Sequence, residues 1–247
     1  MIMFGTKHII LLISCVLLIV AALILLYRKK PRMKTVLSVL LGVGIFSETV
    51  KVVTYILMNE EEYGGYLPKT DLPFHLCSIQ IIFVLILVLS DNQKLRRVLY
   101  AFMLPTCLIG GVAAILIPTS SSLSNTAIMI QYFSYHSALV IFAIYLYMSD
   151  EIKFEAKDYV SALLMLYGCF FAAIYLNSWV NDYIHNINFM YVVKPPMDGL
   201  PFLNKNNGWL SYILRYAALA VVCVTGCYIV PISARIKSLV GRREKCK

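Results

Sequence analysis

Apolar residues along the chain come in blocks of about twenty rather than as alternating faces. Short charged or turn-rich stretches separate the blocks. Blocks of that length span a ~30 Å hydrocarbon core as helices at ~1.5 Å rise per residue. The pattern predicts seven such spans, at about 9–27, 35–58, 72–90, 98–117, 126–148, 158–180 and 209–232. The expected fold is an all-α membrane protein of seven transmembrane helices, forming one domain over residues 1–247. Pro105 and the Gly110–Gly111 pair fall inside the fourth block, where neighbouring helices can satisfy the freed backbone groups. The longest connection, 181–208, is rich in Asn, Pro and aromatic residues and is expected to pack partly back onto the bundle. The tail from Ser233 to Lys247 is basic.

Composition agrees with this pattern: 60% of the residues are hydrophobic and only 14% charged, against about 25% charged in a soluble domain. The net charge of +9 would fit nucleic acid, but its placement does not. Sixteen lysines and arginines lie in the loops 28–34, 91–97 and 149–157 and in the tail, and four lie in the opposite loops. That asymmetry puts the N-terminus outside and the C-terminus in the cytoplasm. Charge after the first apolar block, rather than before it, speaks for an uncleaved helix and against a signal peptide. The expected setting is a bacterial plasma membrane, with the lipid bilayer and no nucleic acid as partner. The seven cysteines sit almost all within apolar blocks, as small buried hydrophobes and not a disulfide framework.

With this orientation the ionisable residues inside the spans gather in the outer half. Glu48 and Lys51 are in the second span, His75 and Cys77 at the entry to the third, and His136 in the fifth. Asn181 and Asp182 end the sixth, and Arg215 lies in the seventh. Insertion scales put the cost at ~2.5 kcal/mol or more for each Asp, Lys or Arg, so such residues should face a common interior and pair. Glu48–Lys51 as a local i,i+3 pair and Arg215–Asp182 as a clamp satisfy that need without any function. Their convergence at one level predicts a polar cavity. His8 and His185 read as loop residues. Trp179, Trp209, Tyr183 and Tyr66 read as an outer aromatic belt, with Tyr27, Tyr100 and Tyr147 as the inner one.

The stretch Asp71–Leu–Pro–Phe–His–Leu–Cys77 is the unusual entry. On a regular helix, residues two apart point about 200° apart, so a helical His75 cannot act as base for Cys77. Either Pro73 holds the segment extended through His75, or the base is His136; the second is preferred. Asp71 reads as a helix N-cap, and a cysteine near a helix N-terminus is favoured as thiolate. Packing alone explains most intramembrane cysteines. His75, Cys77, His136 and Glu48 as a zinc set rest on one His-x-Cys, and no metal or other cofactor is expected.

Pro73-x-His75-x-Cys77, the Tyr135–His136 pair and the Asn/Pro-rich loop before the last span resemble the YwaF-type family of integral membrane proteins. That family is similar to an animal membrane acyltransferase that remodels ether phospholipids through a cysteine. The resemblance implies Cys77 as acyl-accepting nucleophile, His136 as general base and His75 as an orienting group. The substrate-binding residues are then Glu48, Lys51, Asn181, Asp182 and Arg215, with a phospholipid or lysophospholipid as partner. The alternative is a small-solute binding or transport protein using the same Glu/Lys/Asp/Arg cluster. No internal repeat supports a transporter, and no span carries a retinal-type lysine in the last helix or a Gly-x-Ser nucleophile.

Overall fold

The computed structural model describes residues 5–58, 67–68, 71–118, 125–149, 151–152, 154–181, 187–196, 200, 202–203 and 208–244. Among them are seven α-helices: α1 Thr6–Lys29, α2 Met33–Val53, α3 Leu76–Leu89, α4 Gln93–Leu116, α5 Thr126–Met148, α6 Ala156–Asn181 and α7 Gly208–Glu244. All but α3 are long and apolar enough to cross a membrane. The chain is thus a multi-pass, all-helical membrane protein. Large apolar side chains such as Leu17, Phe46 and Tyr175 stay exposed, as expected where the surrounding solvent is lipid tails.

The centre of the bundle is α4 against α5. Helices α1 and α2 also pack on α5, α3 packs on α2 and α4, and α6 and α7 pack on each other and on α4. Every residue from Leu99 to Cys107 is buried, so α4 is enclosed on all sides there. Pro105 cannot donate to the carbonyl of Ala101. The Tyr228 hydroxyl of α7 donates to that carbonyl instead, at 2.8 Å. Gly111 sets the closest approach of α4 to α5. A Cβ there would lie 2.7 Å from Val140 Cγ2 and 3.0 Å from the His136 carbonyl oxygen. Gly44 does the same for α2, where a Cβ would stand 2.9 Å from Ile81 of α3.

At one end of the bundle, the Arg97 guanidinium forks onto the Asp158 carboxylate at 2.6 and 2.7 Å. Asp158 also accepts from the Glu155 N–H, which ties the start of α6 to the start of α4.

Five sequence expectations change. The third span was expected from Leu72, but α3 begins only at Leu76. Its 14 residues cover about 21 Å, short of the ~30 Å core. Asp71 is not its N-cap; His75 is, in extended conformation with φ −78° and ψ 154°. His8 is no loop residue. It is buried in α1, with Nε2 3.1 Å from the carbonyl oxygen of Ile115. Tyr100 does not sit in an interfacial belt: it is buried and accepts from Arg96 at 2.7 Å. Helix α2 also runs on through a π-helical turn, Thr54–Met58, and α7 continues well past residue 232, to Glu244.

Candidate functional site

Cys77 occupies the first turn of α3, half-buried. Pro73 lies within a turn that keeps Asp71–His75 out of the helix. The Asp71 N–H donates to Pro68 O at 2.9 Å, and the Phe74 N–H to Leu72 O at 2.7 Å. The chain therefore reaches Cys77 with His75 extended, the arrangement that the preferred sequence reading had set aside. The Cys77 side chain leaves the start of the helix, where the backbone N–H groups of the first turn have no intrahelical partner. Within electrostatic reach of it are Glu48, Lys51, Cys107, Tyr135, Tyr191 and Tyr216.

Helix α2 supplies the charges beside it. Lys51 Nζ stands 2.7 Å from one Glu48 oxygen and donates to the other at 3.0 Å. The Ser78 hydroxyl donates to that second oxygen at 3.5 Å. The predicted i,i+3 pair thus exists, and it reaches the residue next to Cys77. A cleft of about 320 Å³ opens beside Glu48, lined also by Ile45, Thr49, Val52, Val53 and Ile81. Its walls are almost wholly apolar, with the carboxylate at one edge.

Helix α5 supplies the aromatic and imidazole groups. The Tyr135 hydroxyl donates to the Cys77 carbonyl at 2.8 Å, which clamps α3 to α5. The next residue, His136, is buried, and its Nδ1 is 2.7 Å from the Tyr132 carbonyl. A carbonyl only accepts, so Nδ1 carries the proton and Nε2 keeps its lone pair. Nε2 is buried and has no hydrogen-bond partner among the described residues. On the opposite side of the α3 start, the His75 ring packs against Phe189 and Tyr191, with centroids 5.7 and 5.3 Å away.

Phe189 and Tyr191 belong to a strap, Ile187–Lys194, that follows α6. Asn177 of α6 grips the Phe189 backbone twice: its amide donates to the carbonyl at 3.0 Å, and its oxygen accepts from the N–H at 2.8 Å. Asn181 accepts from the Ile187 N–H at 3.1 Å. Three donors on one face of α7 then cap three successive carbonyls. Tyr216 donates to Met190 at 3.0 Å, Tyr212 to Tyr191, and Trp209 to Val192 at 2.9 Å. The spacing 209, 212, 216 is that of a single helix face. Met190 and Tyr191 sit at φ 54° and 55°, a left-handed conformation that residues with a Cβ seldom adopt. Those hydrogen bonds hold them there.

Of the expected site residues, Glu48, Lys51 and Cys77 come together, and His75 lies under the strap. Asn181 is a strap anchor. Arg215 is half-buried, with Nε donating to Ser211 O at 3.1 Å in its own helix. Asp182 lies outside the described residues, so its expected clamp with Arg215 does too. Tyr66, Tyr183 and His185 of the other readings fall outside them as well. Sequence reasoning missed the strap contacts of Asn177, Tyr212 and Tyr216. The polar Asn177 in an apolar block, with the 209/212/216 spacing of donors, is the signal that could have found them. No group of three His, Cys, Asp or Glu side chains among the described residues could hold a metal.

The family model described as TMEM164 family matches residues 3–228. No curated protein matches the chain, and neither does any solved structure.

Proposed function

This chain belongs to the TMEM164 family of membrane proteins, and from that membership we propose that it is a membrane lipid acyltransferase with Cys77 as nucleophile. The observation that carries the reading is the setting of Cys77. A thiol stands at a helix start, two residues from the His75 packed on the strap and next to the Ser78 that reaches the half-buried Glu48–Lys51 pair, and Tyr135 of α5 holds its carbonyl. Family membership supports lipid acyl transfer, since the animal member resembled by the Leu72–Cys77 stretch is an ether-lipid acyltransferase.

In the proposed reaction the Cys77 thiol gives its proton to His136 Nε2, to which it is not hydrogen-bonded in this structure. The sulfur attacks the carbonyl carbon of a phospholipid ester, and the C–S bond forms as the ester C–O bond breaks. The departing lysolipid oxygen takes the proton back from the imidazolium. A lysolipid hydroxyl then attacks the thioester, loses its proton to His136, and returns the thiol. No outside oxidant or energy source is needed. His136 suits the base role because the Tyr132 carbonyl fixes its tautomer, leaving the buried Nε2 with a lone pair. His75, wedged against the strap rings, orients the Cys77 entry. The cleft beside Glu48 takes an acyl chain entering sideways from the bilayer. Lys51, and Arg215 from α7, bind the lipid phosphate, with Asn181 and Asp182 completing the outer rim of a partly polar cavity.

Acyl exchange between phospholipid and lysolipid by the purified protein tests the reading. Wild type is expected to exchange, Cys77→Ser not at all, and His136→Ala about 10²–10⁴-fold more slowly. Equal turnover in all three would overturn it. No contact among the described residues favours the solute-binding alternative specifically.

A further inference from the structure

A second cavity lies at the far end of α3, and it is polar. It has a volume of about 310 Å³ and is lined by Arg32, Met33, Lys34, Asp91, Gln93, Arg96 and Glu151. Cys77 and Ser90 are thirteen helical steps apart, about 20 Å, so this cavity is separate from the Cys77 site. We propose that it binds the phosphate of a phospholipid headgroup in the leaflet opposite to Cys77.

Three separate features favour a phosphate. First, three cationic side chains, Arg32, Lys34 and Arg96, line one small cavity. Second, Arg96 is fixed in place and cannot swing away. It is buried, donates to the carbonyls of Leu87 and Ser90 at 2.7 and 3.2 Å, and donates to Tyr100 at 2.7 Å. Its charge is therefore fixed in the lining of the cavity, beside the exposed Arg32 and Lys34. Third, the first turn of α2, which lines the cavity, has no side-chain cap and no acidic residue. Backbone N–H groups at a helix start, with the positive end of the dipole, favour an anion.

The position favours a lipid as the source. The lining residues come from the α1–α2 and α3–α4 connections and from the segment just after α5. All of these lie at one end of the bundle, where a spanning helix meets headgroups. Leu89, two residues before Asp91, is 75% exposed and offers an apolar surface for the tails. The two carboxylates act against binding. Glu151 leans on Arg96 at 3.8 Å, whereas Asp91 makes no ion pair among the described residues. Removing the Asp91 charge should therefore tighten the site.

The test uses purified protein in nanodiscs of neutral phosphatidylcholine, titrated with short-chain phosphatidic acid and, separately, with glycerol 3-phosphate. Retention of each is read by native mass spectrometry. Wild type should hold phosphatidic acid at a saturable site distinct from the one proposed at Lys51 and Arg215. The Arg32→Glu/Lys34→Glu variant should bind it about 10-fold or more weakly, and Asp91→Asn more tightly. Arg28→Glu/Lys29→Glu, which reverses equal charge on the exposed end of α1, should leave binding unchanged. Binding of phosphatidic acid alone identifies a lipid site; competition by glycerol 3-phosphate identifies a free-phosphate site and overturns the lipid assignment. The whole proposal fails if all four proteins bind alike. It fails equally if the Arg28/Lys29 variant loses as much as the Arg32/Lys34 one, because bulk charge then explains the effect. Should Arg32→Glu/Lys34→Glu fail to fold, Asp91→Asn still decides: no gain in affinity counts against the site.

Discussion

At the residue scale, the proposed chemistry turns on Cys77 and two neighbours on α5. Tyr135 and His136 are sequence neighbours with separate tasks. Tyr135 holds the Cys77 backbone at 2.8 Å, and His136 presents an Nε2 that has no hydrogen-bond partner among the described residues. Tyr135→Phe removes one interhelical bond. Such bonds average about 0.6 kcal/mol within membranes, so the thermal stability of the variant should fall only slightly while its exchange rate drops through misplacement of the thiol. A rate equal to wild type would show that the α3–α5 clamp is not needed for chemistry. These residues were legible in sequence as types: a histidine and a cysteine inside apolar blocks stand out because polar groups are costly there. Their geometry was not. Whether Pro73 ends a helix or begins one depends on the Asp71–His75 turn, which hydrophobic periodicity does not register.

At the element scale, the strap is the part most exposed to a test. Asn177 alone satisfies both backbone groups of Phe189. Asn177→Leu keeps the volume and strands both, at about 1–3 kcal/mol for each unsatisfied group. Thermal unfolding in detergent should show a marked loss, and Cys77 should become faster to alkylate as the roof over His75 loosens. Unchanged alkylation would mean that the strap does not cover the site. The same scale holds Gly111. A valine there meets a backbone carbonyl, which has no rotamer to move, as well as Val140. Overpacking of this kind costs about 1–3 kcal/mol. It should also shift His136 and slow exchange, whereas Gly42→Ala, with nothing within 4 Å of its Cβ, should do neither. Helix existence was readable because long apolar runs determine it. Close approaches such as Gly111 to His136, and the pairing of α7 donors with strap carbonyls, join residues far apart in sequence that no local pattern connects.

At the scale of the whole molecule, the two ends of the bundle differ in kind. One carries Cys77, the Glu48–Lys51 pair and the strap; the other carries Arg96, Arg97 and Asp158. Lysine and arginine counts predict an orientation with the Cys77 end outside. Sequence treated Arg96 and Arg97 only as loop charges. The structure makes them the fastening of that end, since Arg97–Asp158 is bidentate and Arg96 caps the end of α3. Thiol probes that do not cross the membrane offer a check on orientation. A cysteine at exposed Lys29 should label only from the cytoplasm, and one at exposed Phe202 only from outside; the reverse result would invert the topology.

The central claim is that an acyl group passes through the Cys77 sulfur. The most direct measurement is intact-mass and peptide mapping of the purified protein after brief exposure to a phospholipid with an isotope-labelled acyl chain. The account predicts a labelled, hydroxylamine-sensitive adduct on Cys77, which is absent in Cys77→Ser and disappears when lysolipid is added. Acyl exchange that proceeds at the wild-type rate in Cys77→Ser, or without any adduct on Cys77, would contradict it.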